Sequence, residues 1–179
     1  MVEAKKGTTT VGMIAKDAVV IGADMKSTIG YMVDSKVARK VYPLDNHIAM
    51  TIAGSVGDAL ALVRILKAQF RLYKLERGPI TMKAAANLLS NILQGTKYYP
   101  YMNQLILGGY DSNPGLYSFD PLGGYDVHDN VYSTGSGSPF AYGVLESEFR
   151  ENMEVEDAIK LVLKALKAAR ERDCLLYTS

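Results

Sequence analysis

At 179 residues, 48% of them hydrophobic and 22% charged, the chain has the composition of one globular domain with a sizeable core, which excludes extended disorder. Twenty basic against 19 acidic residues leave a formal net charge of +1, so charge gives no reason to expect nucleic acid or an anionic membrane as a partner. One cysteine, Cys174, and two histidines, His47 and His128, exclude an internal disulfide framework and a cysteine-based zinc cage, and they argue against a histidine-centred triad. No metal or cofactor is expected. The first seven residues have no apolar core region of the secretory kind, and no later run is long enough to span a bilayer, so a cytoplasmic protein is expected.

In chain order, residues 8–15 alternate as a strand, Lys16-Asp17 turn, and residues 18–23 form an apolar return strand that Asp24 ends. Residues 25–36 read as short extended pieces. Residues 37–42, with Arg39 and Lys40, predict another strand, and Pro43 and Asp45-Asn46 predict a turn. The β-leaning run 47–53 meets Gly54-Ser55 just before helical spacing begins, and His47 reads as its entry residue. A first helix is predicted over 58–76, where Leu62, Val63, Leu66 and Phe70 share a face, and Gly78-Pro79 stops it. Thr81 reads as the N-cap of a second helix. Strands follow over 103–110 and 116–120, with turns at 111–115 and 121–124. A further strand is expected through 131–133, with His128 in a loop before it. Residues 134–138 break the pattern ahead of helices over 139–149 and 154–172. Strands, two helices, strands and two helices imply an α+β domain whose helices cover its sheets.

The junction Gly7-Thr8-Thr9-Thr10-Val11-Gly12 carries the chemistry. Three threonines favour an edge strand because they are β-branched. The same residues also offer a second reading. Cleavage after Gly7 would free the α-amine of Thr8, whose ordinary pKa of about 7.7 to 8.0 makes it a base within reach of the Thr8 hydroxyl. One residue would then supply both nucleophile and base.

Taken with Asp24, Ser35-Lys36, Arg39-Lys40, the run from Thr51 to Asp58, and Gly135-Ser136-Gly137-Ser138 with Ala141-Tyr142-Gly143, this junction resembles the proteasome β-type family, specifically archaeal-type catalytic β subunits of the 20S particle. The resemblance covers nearly the whole chain. It implies a four-layer αββα sandwich of two antiparallel sheets flanked by helices, the N-terminal nucleophile hydrolase fold. Residues 1–7 would be a propeptide, cut between Gly7 and Thr8, and residues 8–173 one domain.

By the same resemblance, Thr8 is the nucleophile, Asp24 and Lys40 are the buried acid and ammonium beside it, and Gly54 is the backbone donor to the oxyanion. Ser136 and Asp173 orient the Thr8 amine. Ser27 and Thr28 would pair with an extended peptide, and Ala38, Ile52 and Val56 would line the pocket before the cut. With no charge among those three, a chymotrypsin-like preference is expected. Expected partners are α-type subunits, other β subunits in seven-membered stacked rings, a regulatory ATPase acting on the whole particle, and unfolded polypeptide substrates.

The chain departs from the family pattern after Asp173. A Ser-x-Ser-Gly-Asp-Gly-like stretch and further strands are implied there, but residues 174–179 read Cys-Leu-Leu-Tyr-Thr-Ser, with Leu176 where the pattern has a serine. These six residues are expected to be an artefactual tail. Two other functions fit the sequence less well: a non-catalytic ring subunit, which has no need of Thr8, Asp24 and Lys40 together, and a small-molecule amidase.

Overall fold

The computed structural model of the chain describes residues 7–29 and 32–173. Residues 1–6 of the expected propeptide and the whole 174–179 tail lie outside the described residues, as do residues 30 and 31.

Strand β1 (Thr10–Ala15) folds back across Lys16 and Asp17 onto β2 (Ala18–Ala23), with Thr10 opposite Ala23 and Ala15 opposite Ala18. A two-stranded unit follows, β3 (Ser27–Ile29) with β4 (Met32–Ser35). Then come β5 (Val41–Asp45) and β6 (Ile48–Gly54), the helices α1 (Val56–Arg77) and α2 (Met82–Gly95), and the strands β7 (Asn103–Tyr110), β8 (Pro114–Phe119), β9 (Tyr125–His128) and β10 (Val131–Thr134). Helices α3 (Ser138–Glu148) and α4 (Val155–Arg172) close the described chain.

The main sheets are antiparallel, one of three strands in the order β10-β1-β2 and one of five in the order β5-β6-β7-β8-β9. Alternation along β1 decides the layering. Val11 and Met13 point to α3 and α4, where they are buried with Ala141, Leu145, Val162 and Ala165. Gly12, between them, faces the other sheet: a Cβ there would lie 2.5 Å from Leu116 Cδ1 and 3.1 Å from Ile106 Cγ2, so a residue without a side chain lets the sheets approach. On the far face of the five-stranded sheet, Met50, Ile52, Leu105 and Leu107 pack under Leu62, Leu66, Phe70 and Leu89 of α1 and α2. Each such side chain, fully removed from water, contributes about 1.5–3 kcal/mol before entropy is set against it. The result is the expected order of helices, sheet, sheet, helices.

The helices start and stop where the sequence places them to within two residues. Thr81 caps α2 by accepting the Ala84 N–H at 3.2 Å, and Gly78 ends α1 with a left-handed φ of 87°. Two expectations need correction. The strand predicted over 37–42 begins only at Val41, and it runs through Pro43 to Asp45, where a turn is expected. β5 is an edge strand, so a residue without an N–H costs it no ladder bond on its outer side. The single strand expected through 131–133 is accompanied by a separate one, β9, because Asp129 and Asn130 turn the chain. β9 joins the five-stranded sheet and β10 the three-stranded one, and Asn130 Oδ1 accepts the Val131 N–H at 2.6 Å. His128 therefore ends a strand instead of sitting in a loop, stacked on Tyr132 with ring centroids 4.0 Å apart and 2.8 Å from Ser118 Oγ. His47 lies just before β6, its Nε2 2.8 Å from Ile80 O. Among the described residues no helix is long and apolar enough to cross a membrane.

Candidate active site

Thr8 stands two residues before β1, and the hairpin register brings Asp24 to it. One step beyond the Thr10–Ala23 pair, Asp24 N–H donates to Thr9 O at 3.1 Å, and Thr9 N–H donates to Asp24 Oδ1 at 2.7 Å. Asp24 Oδ2 also accepts the Lys26 N–H at 2.9 Å. The tight turn at Lys16 and Asp17 thus fixes a carboxylate beside the threonine.

Lys40 arrives from the other sheet. It lies just before β5, and its carbonyl accepts the Ile52 N–H at 2.9 Å, which anchors its backbone to β6. Its Nζ donates to both Asp24 oxygens at 2.9 Å, to Thr8 Oγ1 at 3.1 Å and to Gly7 O at 3.3 Å. The ion pair is largely buried, with 10% of the Lys40 side chain and 7% of the Asp24 side chain exposed. Burial pushes the Lys40 ammonium below its ordinary pKa of 10.5, and the Asp24 carboxylate works against that shift. The Thr8 hydroxyl donates to Gly7 O at 2.8 Å. The nucleophile candidate, the carbonyl of its own preceding peptide bond and one ammonium therefore form a closed triangle.

A second pair approaches Thr8 from the opposite side. Ser136 lies in the turn between β10 and α3, and Asp173 is the C-cap of α4, 4% exposed. Ser136 Oγ donates to Asp173 Oδ2 at 2.5 Å and accepts the Thr8 N–H at 3.2 Å. Gly137 N–H reaches Thr8 O at 3.4 Å. Gly135 makes this approach feasible. It has a φ of 90°, and a Cβ there would fall 2.1 Å from Thr8 O.

The structure thus brings Gly7, Thr8, Asp24, Lys40, Ser136 and Asp173 into one hydrogen-bonded cluster. Gly54 ends β6, two residues beyond the Ile52 that pairs with Lys40 O, and has a φ of 136°. Ala38 N–H donates to Met25 O at 2.7 Å, which places it beside Asp24. Ile52 is 6% exposed, and Val56, the first residue of α1, is 55% exposed. Ser27 and Thr28 form the backbone of β3, where the register shifts between them, and the side chain of Thr28 lies outside the described residues. Sequence reasoning missed two contributors, the Gly7 carbonyl as an acceptor in the cluster and Gln104, whose Oε1 takes the Gly135 N–H at 3.3 Å. Gly7 carries a signal, since the junction is polar and small, whereas Gln104 is a single polar residue in an alternating strand. Among the described residues no group of three or more histidine, cysteine or carboxylate side chains could hold a metal ion.

A family model described as Proteasome subunit matches residues 4–177, and curated relatives are about half identical over most of the chain. The chain belongs to the proteasome subunit family, β type. It is 53% identical over 171 residues to a proteasome subunit beta of Methanocaldococcus vulcanius, covering 94% of this chain and 77% of that protein. It is 53% identical over 170 residues to the one from Picrophilus torridus, covering 94% and 80%. A third, from Methanococcus maripaludis strain C7, is 47% identical over 174 residues, covering 96% and 80%. Within this family the two stacked antiparallel sheets flanked by helices are the N-terminal nucleophile hydrolase fold.

Proposed function

We propose that the chain is a threonine endopeptidase subunit of the 20S proteasome core, self-processed after Gly7 and cutting unfolded polypeptides. The observation that carries this reading is the placement of one buried ammonium, Lys40 Nζ, against Thr8 Oγ1, Gly7 O and Asp24 together. A cation at that point stabilises both the oxygen that attacks and the carbonyl oxygen on which charge builds.

Self-processing is then an addition of Thr8 Oγ1 to the Gly7 carbonyl carbon. The peptide C–N bond breaks, the Thr8 nitrogen takes a proton and leaves as an amine, and Gly7 is held as an ester. Water hydrolyses that ester, releasing residues 1–7 and restoring the hydroxyl. The amine so formed inherits the Ser136 contact that the Thr8 amide makes before cleavage, with Asp173 behind it.

In turnover the same hydroxyl attacks the scissile carbonyl of a substrate while the Thr8 amine takes its proton, and the Gly54 N–H receives the oxyanion. The amine passes the proton to the leaving nitrogen, and water hydrolyses the acyl ester. Ser27 and Thr28 would pair with the substrate backbone by strand addition. Ala38, Ile52 and Val56 would form an uncharged pocket and give a chymotrypsin-like preference. Seven-membered β rings stacked on rings of α-type subunits, fed by an ATPase in the cytoplasm, are the setting this function needs.

The test is the intact mass of the chain after co-assembly with α-type subunits, beside Thr8→Ala. Loss of residues 1–7 only where Thr8 is present supports the reading. Retention in both chains overturns it in favour of a non-catalytic ring subunit.

A further inference from the structure

Residues 102–104, where β7 begins, touch both halves of the site. Met102, one residue before the strand, donates its N–H to Asp58 Oδ2 in the first turn of α1 at 3.1 Å and accepts the Ser55 N–H at 3.0 Å. Asn103 pairs across the sheet with Gly54, and the backbones are so close that a Cβ on Gly54 would lie 2.2 Å from Met102 O. Gln104, pairing with Ala53, points the other way, and its side-chain carbonyl accepts the Gly135 N–H at 3.3 Å. That bond crosses from the five-stranded sheet to the turn that carries Ser136.

The Gly135–Gln104 bond is solvent-exposed, so water is its competitor for the Gly135 N–H. Gly135 and Gln104 both line a polar cavity of 580 Å³, together with Ser118, Asp120, Ser133 and Thr134. Without a fixed partner, the N–H turns to whatever water occupies the cavity, and the turn loses the tie to β7 that this bond makes. The turn has little slack, because Gly135 already abuts Thr8 O and Ser136 must hold Asp173 at 2.5 Å and Thr8 N at 3.2 Å.

We propose that Gln104 is a positioning residue for this site: from a strand start locked to Gly54 and α1, its side-chain carbonyl holds the Gly135–Ser136–Gly137 turn in the place where Ser136 meets Thr8. Its action on Thr8 runs through the Gly135 N–H and the turn. Its kinetic consequence rests on the threonine-peptidase reading, and its structural consequence does not. Only the carbonyl oxygen is used, so a carboxylate at the same length replaces it and a thioether does not.

The test compares the particle assembled with α-type subunits from the wild-type chain, from Gln104→Met and from Gln104→Glu. Two quantities are read: amide hydrogen exchange over residues 135–137, and kcat and KM on a peptide reporter cut after leucine. Gln104→Met is expected to speed exchange across the turn and to lower kcat about three- to tenfold, the range for loss of one neutral hydrogen bond, with KM unchanged. Gln104→Glu should keep wild-type exchange and a kcat within about twofold of wild type on the same scale. Unchanged exchange in Gln104→Met overturns the proposal, as does faster exchange with unchanged kcat, or equal damage in both variants. A wild-type particle with no turnover sinks the peptidase reading instead, and the exchange comparison alone then decides whether Gln104 holds the turn.

Discussion

Lys40 Nζ stands 3.1 Å from Thr8 Oγ1 with one tenth of its side chain exposed, so the cation beside the hydroxyl is held against a cost in hydration. Burial keeps its folded-state pKa below 10.5, the value taken for the unfolded chain. Between those values the unfolded chain binds more protons, so the contribution of Lys40 to stability is complete above 10.5 and is lost as pH falls through the folded value. The expected outcome is that the stability of the wild-type chain relative to Lys40→Met rises with pH in the window just below 10.5. Denaturant midpoints of the two chains over that range check it, and a falling difference would contradict the burial argument. Lys40→Met should also slow removal of residues 1–7 by about 10²–10³-fold, the loss expected when one preorganised electrostatic donor is removed.

The partner carboxylate predicts a graded pair of variants. Asp24 accepts three kinds of donor, the Lys40 ammonium and the N–H groups of Thr9 and Lys26. Asp24→Ala strands a buried cation and two N–H groups, and about 3–5 kcal/mol of stability should go with it. Asp24→Asn keeps an oxygen for the Thr9 N–H and should cost less, about 1–3 kcal/mol. Both remove the countercharge of Lys40, so mass spectrometry of the assembled particle should find residues 1–7 retained in both. Equal denaturation midpoints for Ala and Asn would show that the Thr9 contact carries no weight.

How much of this was legible depends on how far each residue lies from its partner. Thr8 and Asp24 meet through a hairpin whose two-residue turn at Lys16 and Asp17 is plain in the sequence, and once that turn is placed the register puts Asp24 beside Thr9. Lys40 reads as a strand residue but precedes the strand, because the edge position of β5 admits Pro43 and the strand runs over Val41–Asp45 and not 37–42. The Ser136–Asp173 pair spans 37 residues and two helices, and no local periodicity specifies it, so only the family resemblance pointed there. The switch of β9 and β10 between sheets escaped notice since each is only four residues long and alternation cannot say which sheet a strand joins. Gln104 was invisible for a related reason: its role lies in the direction its side chain takes across the sheet gap.

Gly135 should not tolerate a methyl group. Its φ of 90° disfavours any L side chain, and the added carbon would sit 2.1 Å from Thr8 O, a backbone atom that cannot rotate away. Gly135→Ala is expected to destabilise the chain by about 2–4 kcal/mol and to abolish self-processing by moving Ser136 off the Thr8 nitrogen. Thermal melting and the intact mass of the same sample check both parts. A processed, wild-type-like Gly135→Ala would mean that the turn can be rebuilt at no cost to the site.

Val56 tests the pocket and not the chemistry. It opens α1 with 55% of its surface exposed, so a larger polar side chain there meets no packed neighbour, and a carboxylate in a helical first turn is electrostatically favoured. If Ala38, Ile52 and Val56 line the pocket for the residue before the cut, Val56→Glu gives that pocket a charge. Cleavage after arginine should then rise about tenfold relative to cleavage after leucine, the discrimination worth about 1.4 kcal/mol of differential binding. The check is kcat/KM for the two reporters on wild-type and Val56→Glu particles. An unchanged ratio, with both particles active and processed, removes Val56 from the pocket and leaves Ala38 and Ile52 to define it.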